Sequence, residues 1–91
     1  MTINLATCNH VEGGDTFRTA LQTRIRLARY DAPEEGHPDY IKAKQLLSSV
    51  ILDKEILYEY VGTSYGPPVA EVWRRSININ DIMLRSGFKR K

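Results

Sequence analysis

One helical stretch lies between two groups of strand-like segments, and this order constrains the fold more than any other feature of the sequence. The clearest strand is predicted over Gln22–Tyr30, where Ile25 and Leu27 point to one face of a sheet. The opposite face of that strand carries Arg24, Arg26 and Ala28. A helix is predicted from near Pro38 to near Asp53, since proline is well tolerated in a first helical turn. Its apolar stripe consists of Tyr40, Ala43, Leu47, Val50 and Ile51.

Four further strands complete the predicted sheet: Ile3–His10, Thr16–Leu21, Glu55–Val61 and Val69–Arg75. Gly13, Gly14 and Asp15 favour a tight turn between the first two. A short final helix is predicted with Asn80 as its cap, and Gly87 stops it. Five short strands with a helix between strands 3 and 4 are typical of a mainly β (α+β) OB-fold barrel. An open α+β sheet contains the same elements, so the strand count is compatible with both.

The chain is short enough that we expect a single core. Its 91 residues, 42% apolar and 26% charged, are typical of one folded domain spanning residues 1–91. The net charge is only +2, but the segment from Glu71 to Lys91 is strongly basic. Its cationic residues are Arg74, Arg75, Arg85, Lys89, Arg90 and Lys91. Such an end either attracts phosphate groups or forms a solvated tail.

Thiol and imidazole groups are too few and too scattered for a disulfide or a zinc site. The single cysteine, Cys8, lies in an apolar-leaning segment, so we expect a buried, unreactive thiol. His10 and His37 lack the spacing of zinc ligands. No signal peptide or transmembrane run is visible. We therefore expect a protein that does not contact a membrane and is cytoplasmic, or is released by a route that this sequence does not encode.

Several motifs occur in the order found in one family of nucleases. Gly14–Phe17 resembles a Gly-Asp-Thr turn, and Arg26–Glu34 resembles the more specific segment Arg-Leu-x-x-x-Asp-x-Pro-Glu. Tyr65-Gly66 is similar to the start of a Tyr-Gly-Arg turn. Ile79-Asn80 and Gly87-Phe88 resemble the two ends of a closing Val-Asn…Gly-Leu helix. The chain thus resembles the staphylococcal (micrococcal) nuclease family, whose members are calcium-dependent phosphodiesterases of DNA and RNA built on an OB barrel.

Two carboxylates are predicted to converge on one metal site. Asp15 follows the tight turn and Asp31 ends the neighbouring strand, and such oxygen ligands suit a hard divalent cation better than zinc. The resemblance implies that Asp15 and Asp31 bind Ca²⁺ and that Ala32 contributes its backbone carbonyl. It also implies that Arg26 binds the scissile phosphate and that Glu34 is the general base. Taken singly, each residue is more typical of a turn, a solvated strand or a loop charge, so the interpretation rests on their combination.

The sequence departs from the family pattern in three places. Gly13 stands where the family has an acidic residue, with Glu12 one step earlier, and the chain stops at Lys91, where the best-known members continue into another helix. The third departure concerns catalysis, because Pro67 replaces the family's second catalytic arginine. By analogy with arginine fingers, losing that guanidinium costs roughly 10³–10⁵ in rate. Candidate substitutes elsewhere in the chain are Arg29, Arg74 and Arg75.

Aromatic residues accompany the last two long strands. Tyr65, next to the predicted site, is the best candidate for stacking on a nucleic-acid base, whereas Tyr58, Tyr60 and Trp73 are more typical of core and cross-strand packing. Two functions follow. The first is a weakened calcium-dependent nuclease acting on DNA or RNA. The second is a pseudo-enzyme that binds single-stranded nucleic acid or a protein partner.

Overall fold

A computed structural model describes residues 2–62 and 66–90 of the chain. The elements are β1 (Asn4–Val11), β2 (Thr16–Thr19), β3 (Arg24–Leu27), α1 (Tyr40–Ile51), β4 (Glu55–Gly62), β5 (Val69–Arg74), β6 (Ile77–Asn78) and α2 (Ile79–Arg85). This order confirms the predicted sequence of three strands, helix, two strands and short helix. The two-residue β6, which leads directly into α2, was not predicted.

The sheet closes on itself. Its strands run in the order β3-β2-β1-β4-β5-β6, with antiparallel pairing throughout that series. A further parallel pairing joins β3 to β5, with Arg26 opposite Val69 and Leu27 opposite Ala70. Because β3 and β5 are otherwise separated by three strands, β2, β1 and β4, this pairing turns the sheet into a ring. The OB-type barrel is therefore confirmed, and the open α+β sheet is excluded.

The barrel interior is filled by every second residue of the strands, as the alternation predicts. Phe17, Ile25, Leu27, Ile56 and Val72 are all 1% exposed or less. Helix α1 adds the fully buried Ala43, Leu47 and Ile51, and α2 adds Ile79 and Met83. Tyr40 and Val50, the remaining members of the predicted stripe of α1, are half-buried at its margin.

Strand β3 is shorter than predicted because the backbone turns at both ends. Gln22 and Arg29 have φ of 69° and 66°, values that do not continue an extended strand. Ala28 was assigned to the polar face beside Arg26, and that assignment was wrong: it is only 4% exposed. Its N–H donates to the carbonyl of Ala70 on β5 at 2.9 Å, which draws the residue into the core.

The cap of α2 also differs from the prediction. Asn78, not Asn80, is the N-cap residue, and its side-chain oxygen accepts from the Asp81 N–H at 2.8 Å. Asn80 is fully buried instead. Its amide nitrogen donates to the carbonyls of Ala28 at 2.9 Å and Ala70 at 3.0 Å. Its amide oxygen accepts from the Val72 N–H at 2.9 Å, so one side chain ties α2 to β5 and to the end of β3.

Cys8 is fully buried in β1, as predicted. Burial raises the pKa of its thiol to about 11. The S–H group lies within hydrogen-bond distance of the His10 carbonyl, to which only the protonated form can donate. At neutral pH the sulfur is therefore protonated, and it packs as a small apolar group.

Gly14 allows the β1–β2 turn to approach α1 and the loop after β3. A Cβ built on Gly14 would lie 2.7 Å from the Cβ of Ala43 and 2.8 Å from the Cβ of Ala32. Both atoms belong to buried residues that have no free space to yield. The absence of a side chain here lets Asp15, the next residue, meet Ala32.

Replacing Asn80 by alanine should destabilise the fold strongly. Asn80→Ala leaves the Ala28 carbonyl and the Val72 N–H buried without their Asn80 partner and removes one of two hydrogen bonds to the Ala70 carbonyl. We expect a loss of about 3 kcal/mol in the free energy of unfolding. Urea unfolding followed by circular dichroism measures this, with Asn9→Ala on the exposed face of β1 as the control. A loss below about 1 kcal/mol would contradict the role given to Asn80.

The two neighbouring glycines of the turn should respond differently to an added methyl group. Gly14→Ala should lower the free energy of unfolding by roughly 1–3 kcal/mol through overpacking. Gly13→Ala should be nearly neutral, because its Cβ would only reach Tyr40 Cε1 at an ordinary 3.8 Å. The same unfolding experiment compares the pair, and equal losses would show that close packing at Gly14 is not the cause.

Candidate functional site

The predicted site residues lie together at one end of the barrel. Asp15 leads into β2, Arg26 lies on β3, and Asp31, Ala32 and Glu34 follow one another on the loop between β3 and α1. Asp15, Ala32 and Glu34 line a common cavity of about 250 Å³. The structure thus brings together groups that are up to 19 positions apart in the chain.

Asp15 is held in place by three hydrogen bonds. One carboxylate oxygen accepts from the Ala32 N–H at 3.0 Å and the other from the Thr16 hydroxyl at 2.9 Å. Its backbone carbonyl accepts from the Leu27 N–H at 2.8 Å. With a side chain only 13% exposed, this carboxylate has a fixed position between β2, β3 and the following loop.

Arg26 lies between the two aspartates. Its Nη2 donates to Asp31 Oδ1 and lies 3.8 Å from Asp15 Oδ2. The backbone N–H of Arg26 donates to the Pro68 carbonyl at 2.9 Å, which fixes the strand beneath the side chain. One guanidinium therefore offsets two negative charges, and both carboxylates approach the same nitrogen.

Three residues near Arg26 carry oxygen atoms of the kind that a hard cation accepts. Asp15 and Asp31 offer carboxylates. Ala32 is only 2% exposed, and its backbone carbonyl points to the same region, where it accepts from Arg90. Among residues 2–62 and 66–90, no group of three or more His, Cys, Asp or Glu side chains is arranged to hold a metal. With two carboxylates and a carbonyl, a bound ion would need water for its remaining ligands, as Ca²⁺ accepts and a structural zinc site does not.

Glu34 projects from the loop into solvent. Its side chain is 70% exposed, and Oε1 lies 3.4 Å from Nη1 of Arg90. A carboxylate at the mouth of the cavity is accessible to water. The position is compatible with proton transfer from a water molecule that enters the cavity.

Arg90 is the residue of this region that sequence reasoning missed. Its Nε donates to the Ala32 carbonyl at 3.3 Å, and its backbone N–H donates to the Asp31 carbonyl at 3.0 Å. From the sequence alone, Arg90 was only one of the basic residues between Glu71 and Lys91. These two contacts join residues that are 58 and 59 positions apart, and no local sequence pattern indicates them.

Glu12 does not take the place of the acidic residue that Gly13 lacks. Its carboxylate binds Arg18 at 2.5 Å and Arg24 at 2.9 Å. Burial opposes ionisation of Glu12, but these hydrogen bonds outweigh it and lower its pKa. The carboxylate is therefore committed to the strand arginines.

Pro67 brings no cation to the site. Of the three proposed substitutes, Arg29 lines a cavity with Arg26 and Asp31 but is held by acidic partners, and the other two lie elsewhere. Arg29 binds Glu71 at 2.7 Å and Asp81 at 3.1 Å, and the hydrogen bond to Glu71 in particular raises its pKa above the usual range. The other two, Arg74 and Arg75, line a separate cavity beside Trp73. None of the three belongs to the cavity that Asp15, Ala32 and Glu34 line.

The aromatic residues divide into three cases. Tyr65, the predicted stacking residue, lies outside the described residues. Tyr58 packs against the core and meets Tyr60 edge-to-face with ring centroids 5.3 Å apart, in agreement with the packing role. Trp73 is half-buried and lines the cavity beside Arg74, with Leu5 and Leu57.

Within the described part of the chain, neither helix has the length and hydropathy that crossing a bilayer requires.

Comparison with known proteins agrees with the fold and the motifs. The family model described as "Staphylococcal nuclease homologue" matches residues 24–91, which is more than half of the 91-residue chain. This range contains Arg26, Asp31, Ala32 and Glu34, whereas Asp15 precedes it. A search of curated proteins finds no match to the chain. A closed OB-like barrel that carries the family's motifs over the matched range has one explanation: the chain belongs to the family of staphylococcal nuclease homologues.

Proposed function

We propose that this protein is a calcium-dependent phosphodiesterase that cleaves DNA or RNA slowly. The observation that carries this proposal is the convergence of Asp15, Arg26, Asp31 and Ala32 beside the exposed carboxylate of Glu34. Members of the family generally depend on Ca²⁺ and bind nucleic acids.

In this proposal, Asp15, Asp31 and the Ala32 carbonyl would hold Ca²⁺, and the ion would polarise a phosphate oxygen and offset developing negative charge. Arg26 binds the phosphate group through its planar guanidinium, exchanging its contact with Asp31 for one with the substrate. That contact is partly solvent-exposed, so breaking it costs little. Glu34 accepts a proton from the water that attacks phosphorus, and the displaced alkoxide takes up a proton from solvent.

The rate should be low because position 67 carries no guanidinium. The carbonyl of the adjacent Pro68 binds the backbone of Arg26, so position 67 is close to the phosphate-binding strand. Proline can neither donate a hydrogen bond nor carry a charge. If nothing replaces the missing arginine, the reduction is roughly 10³–10⁵ by analogy with arginine fingers.

The alternative is a barrel that binds single-stranded nucleic acid or a protein without cleaving. Pro67 favours it for nucleic acid, because binding tolerates the loss of a group needed only in the transition state. For a protein partner, the relevant observation is an apolar row across three strands. Leu5 pairs with Leu57, Leu57 pairs with Trp73, and the two leucines are 62% and 40% exposed.

Replacing Glu34 should separate cleavage from binding. Glu34→Ala should reduce the rate on heat-denatured DNA and on RNA in Ca²⁺ by about 10²–10⁴, the contribution typical of a general base. The matched control is Glu55→Ala, which removes the same charge from an exposed position on β4 that does not line this cavity, and it should keep the rate within about twofold. Product formation on denaturing gels measures both. Equal rates for the two variants, or no cleavage by the unmodified protein, would reject the enzymatic proposal in favour of the binding module.

A further inference from the structure

The C-terminal segment folds back onto the candidate site. The Tyr30 hydroxyl donates to the Phe88 carbonyl at 2.6 Å, and Phe88 packs against the core. Two residues later, the Arg90 N–H donates to the Asp31 carbonyl at 3.0 Å. These contacts anchor the backbone on both sides of Lys89, so Arg90 has a defined place beside the loop that carries Asp31, Ala32 and Glu34.

The Arg90 side chain lies inside the cluster of site residues. Its Nε reaches the Ala32 carbonyl at 3.3 Å and its Nη1 reaches Glu34 Oε1 at 3.4 Å. It lines the same 250 Å³ cavity as Asp15 and Glu34. Arg26 approaches this cluster from the side of Asp31, and Arg90 approaches it from the side of Glu34. The two guanidiniums therefore flank the loop on which the proposed chemistry depends.

The contacts of Arg90 are weak enough to be exchanged for a ligand. Its side chain is 42% exposed and that of Glu34 is 70% exposed, so water screens the ion pair and little free energy is needed to break it. A phosphodiester carries a full negative charge and two free oxygens that a guanidinium binds well. A phosphate entering the cavity would offer Arg90 a better partner than a loosely held carboxylate at 3.4 Å.

We propose that Arg90 is a second phosphate-binding guanidinium of this site, supplied by the C-terminal segment instead of position 67. The inference rests on the proposed function, since it assigns Arg90 to the same phosphodiester that Arg26 binds. It also has a consequence for the metal. Because Arg90 is a cation bound to the Ala32 carbonyl, it opposes Ca²⁺ at that oxygen until phosphate draws the guanidinium away.

The test compares Arg90→Ala and Arg90→Lys with Lys89→Ala, which removes the same charge from an exposed neighbouring position. Cleavage of a fluorescein-labelled single-stranded DNA in saturating Ca²⁺ gives kcat/KM. Arg90→Ala should lower it between about tenfold and a hundredfold, the effect of one charge-assisted hydrogen bond. Arg90→Lys should recover part of the loss, because a lysine keeps the charge without the planar fork. Lys89→Ala should change it less than twofold. Equal effects of Arg90→Ala and Lys89→Ala would overturn the assignment while leaving the nuclease proposal standing.

A binding measurement keeps the assignment testable even if the protein does not cleave. In a Glu34→Ala background, where the ion-pair partner of Arg90 is also removed, fluorescence anisotropy with the same oligonucleotide and Ca²⁺ reports affinity alone. Adding Arg90→Ala should weaken binding about tenfold, and adding Lys89→Ala should weaken it less than twofold. If the unmodified protein does not cleave DNA but Arg90→Ala still weakens binding more than Lys89→Ala, the nuclease proposal is rejected and Arg90 is retained as a phosphate ligand. No difference between the two variants would overturn the assignment.

A purely structural role for Arg90 has a different signature. The hydrogen bond to Asp31 uses the backbone N–H of Arg90, so Arg90→Ala retains it and the Tm without Ca²⁺ should stay within about 2 °C. The rise in Tm on adding Ca²⁺ should be equal or larger in Arg90→Ala, because a competing cation is removed. Loss of the Ca²⁺ response would show that Arg90 only positions the loop, and it would contradict the proposal.

Discussion

The fully buried amide of Asn80 connects the parts of this molecule on which the site depends. Its three hydrogen bonds join α2 to the carbonyl that ends β3 and to two backbone groups of β5. Strands β3 and β5 are also the pair that closes the barrel. Because the loop carrying Asp31, Ala32 and Glu34 begins where Asn80 holds Ala28, the position of that loop is set in the core. A buried side chain in the core thus helps to fix the geometry of the candidate site.

The balance of negative and positive side chains is a second constraint on the candidate site. Asp15, Asp31 and Glu34 bring three carboxylates to one end of the barrel, and such like charges are unfavourable without cations. Arg26 offsets the first two and Arg90 contacts the third. A divalent ion and a phosphate would together replace these internal pairs, with the ion taking the carboxylates and the guanidiniums taking the phosphate. The exposed ion pairs make such an exchange inexpensive.

The fold could be predicted where local pattern determines structure. The alternation of Ile25 and Leu27, the helical stripe of α1 and the turn signals gave the element order and the barrel class, and both are confirmed. The predictions were wrong where residues distant in the sequence determine the position of a side chain. Asn78 and Asn80 are both plausible caps by residue type, and only the buried carbonyls of β3 and β5 assign Asn80 to the core.

The motifs predicted which residues of the candidate site lie near one another. The structure brings Asp15, Arg26, Asp31, Ala32 and Glu34 together, and their chemical roles stay predictions. Arg90 escaped prediction because its relation to Ala32 spans 58 positions and depends on how the chain turns after α2. A basic residue in this part of a sequence indicates no particular contact. The hydrogen bond between the backbone of Arg90 and Asp31 is what places this residue beside the site.

We propose that the oxygens of Asp15, Asp31 and Ala32 form a calcium site. The most direct measurement is thermal unfolding with increasing Ca²⁺ for the unmodified protein, Asp31→Asn and the exposed control Asp53→Asn. Calcium at a hundred times its dissociation constant should stabilise the unmodified protein and Asp53→Asn by about 2.7 kcal/mol, and it should leave Asp31→Asn almost unchanged. A flat response in the unmodified protein, or an equal rise in Asp31→Asn, would contradict the account.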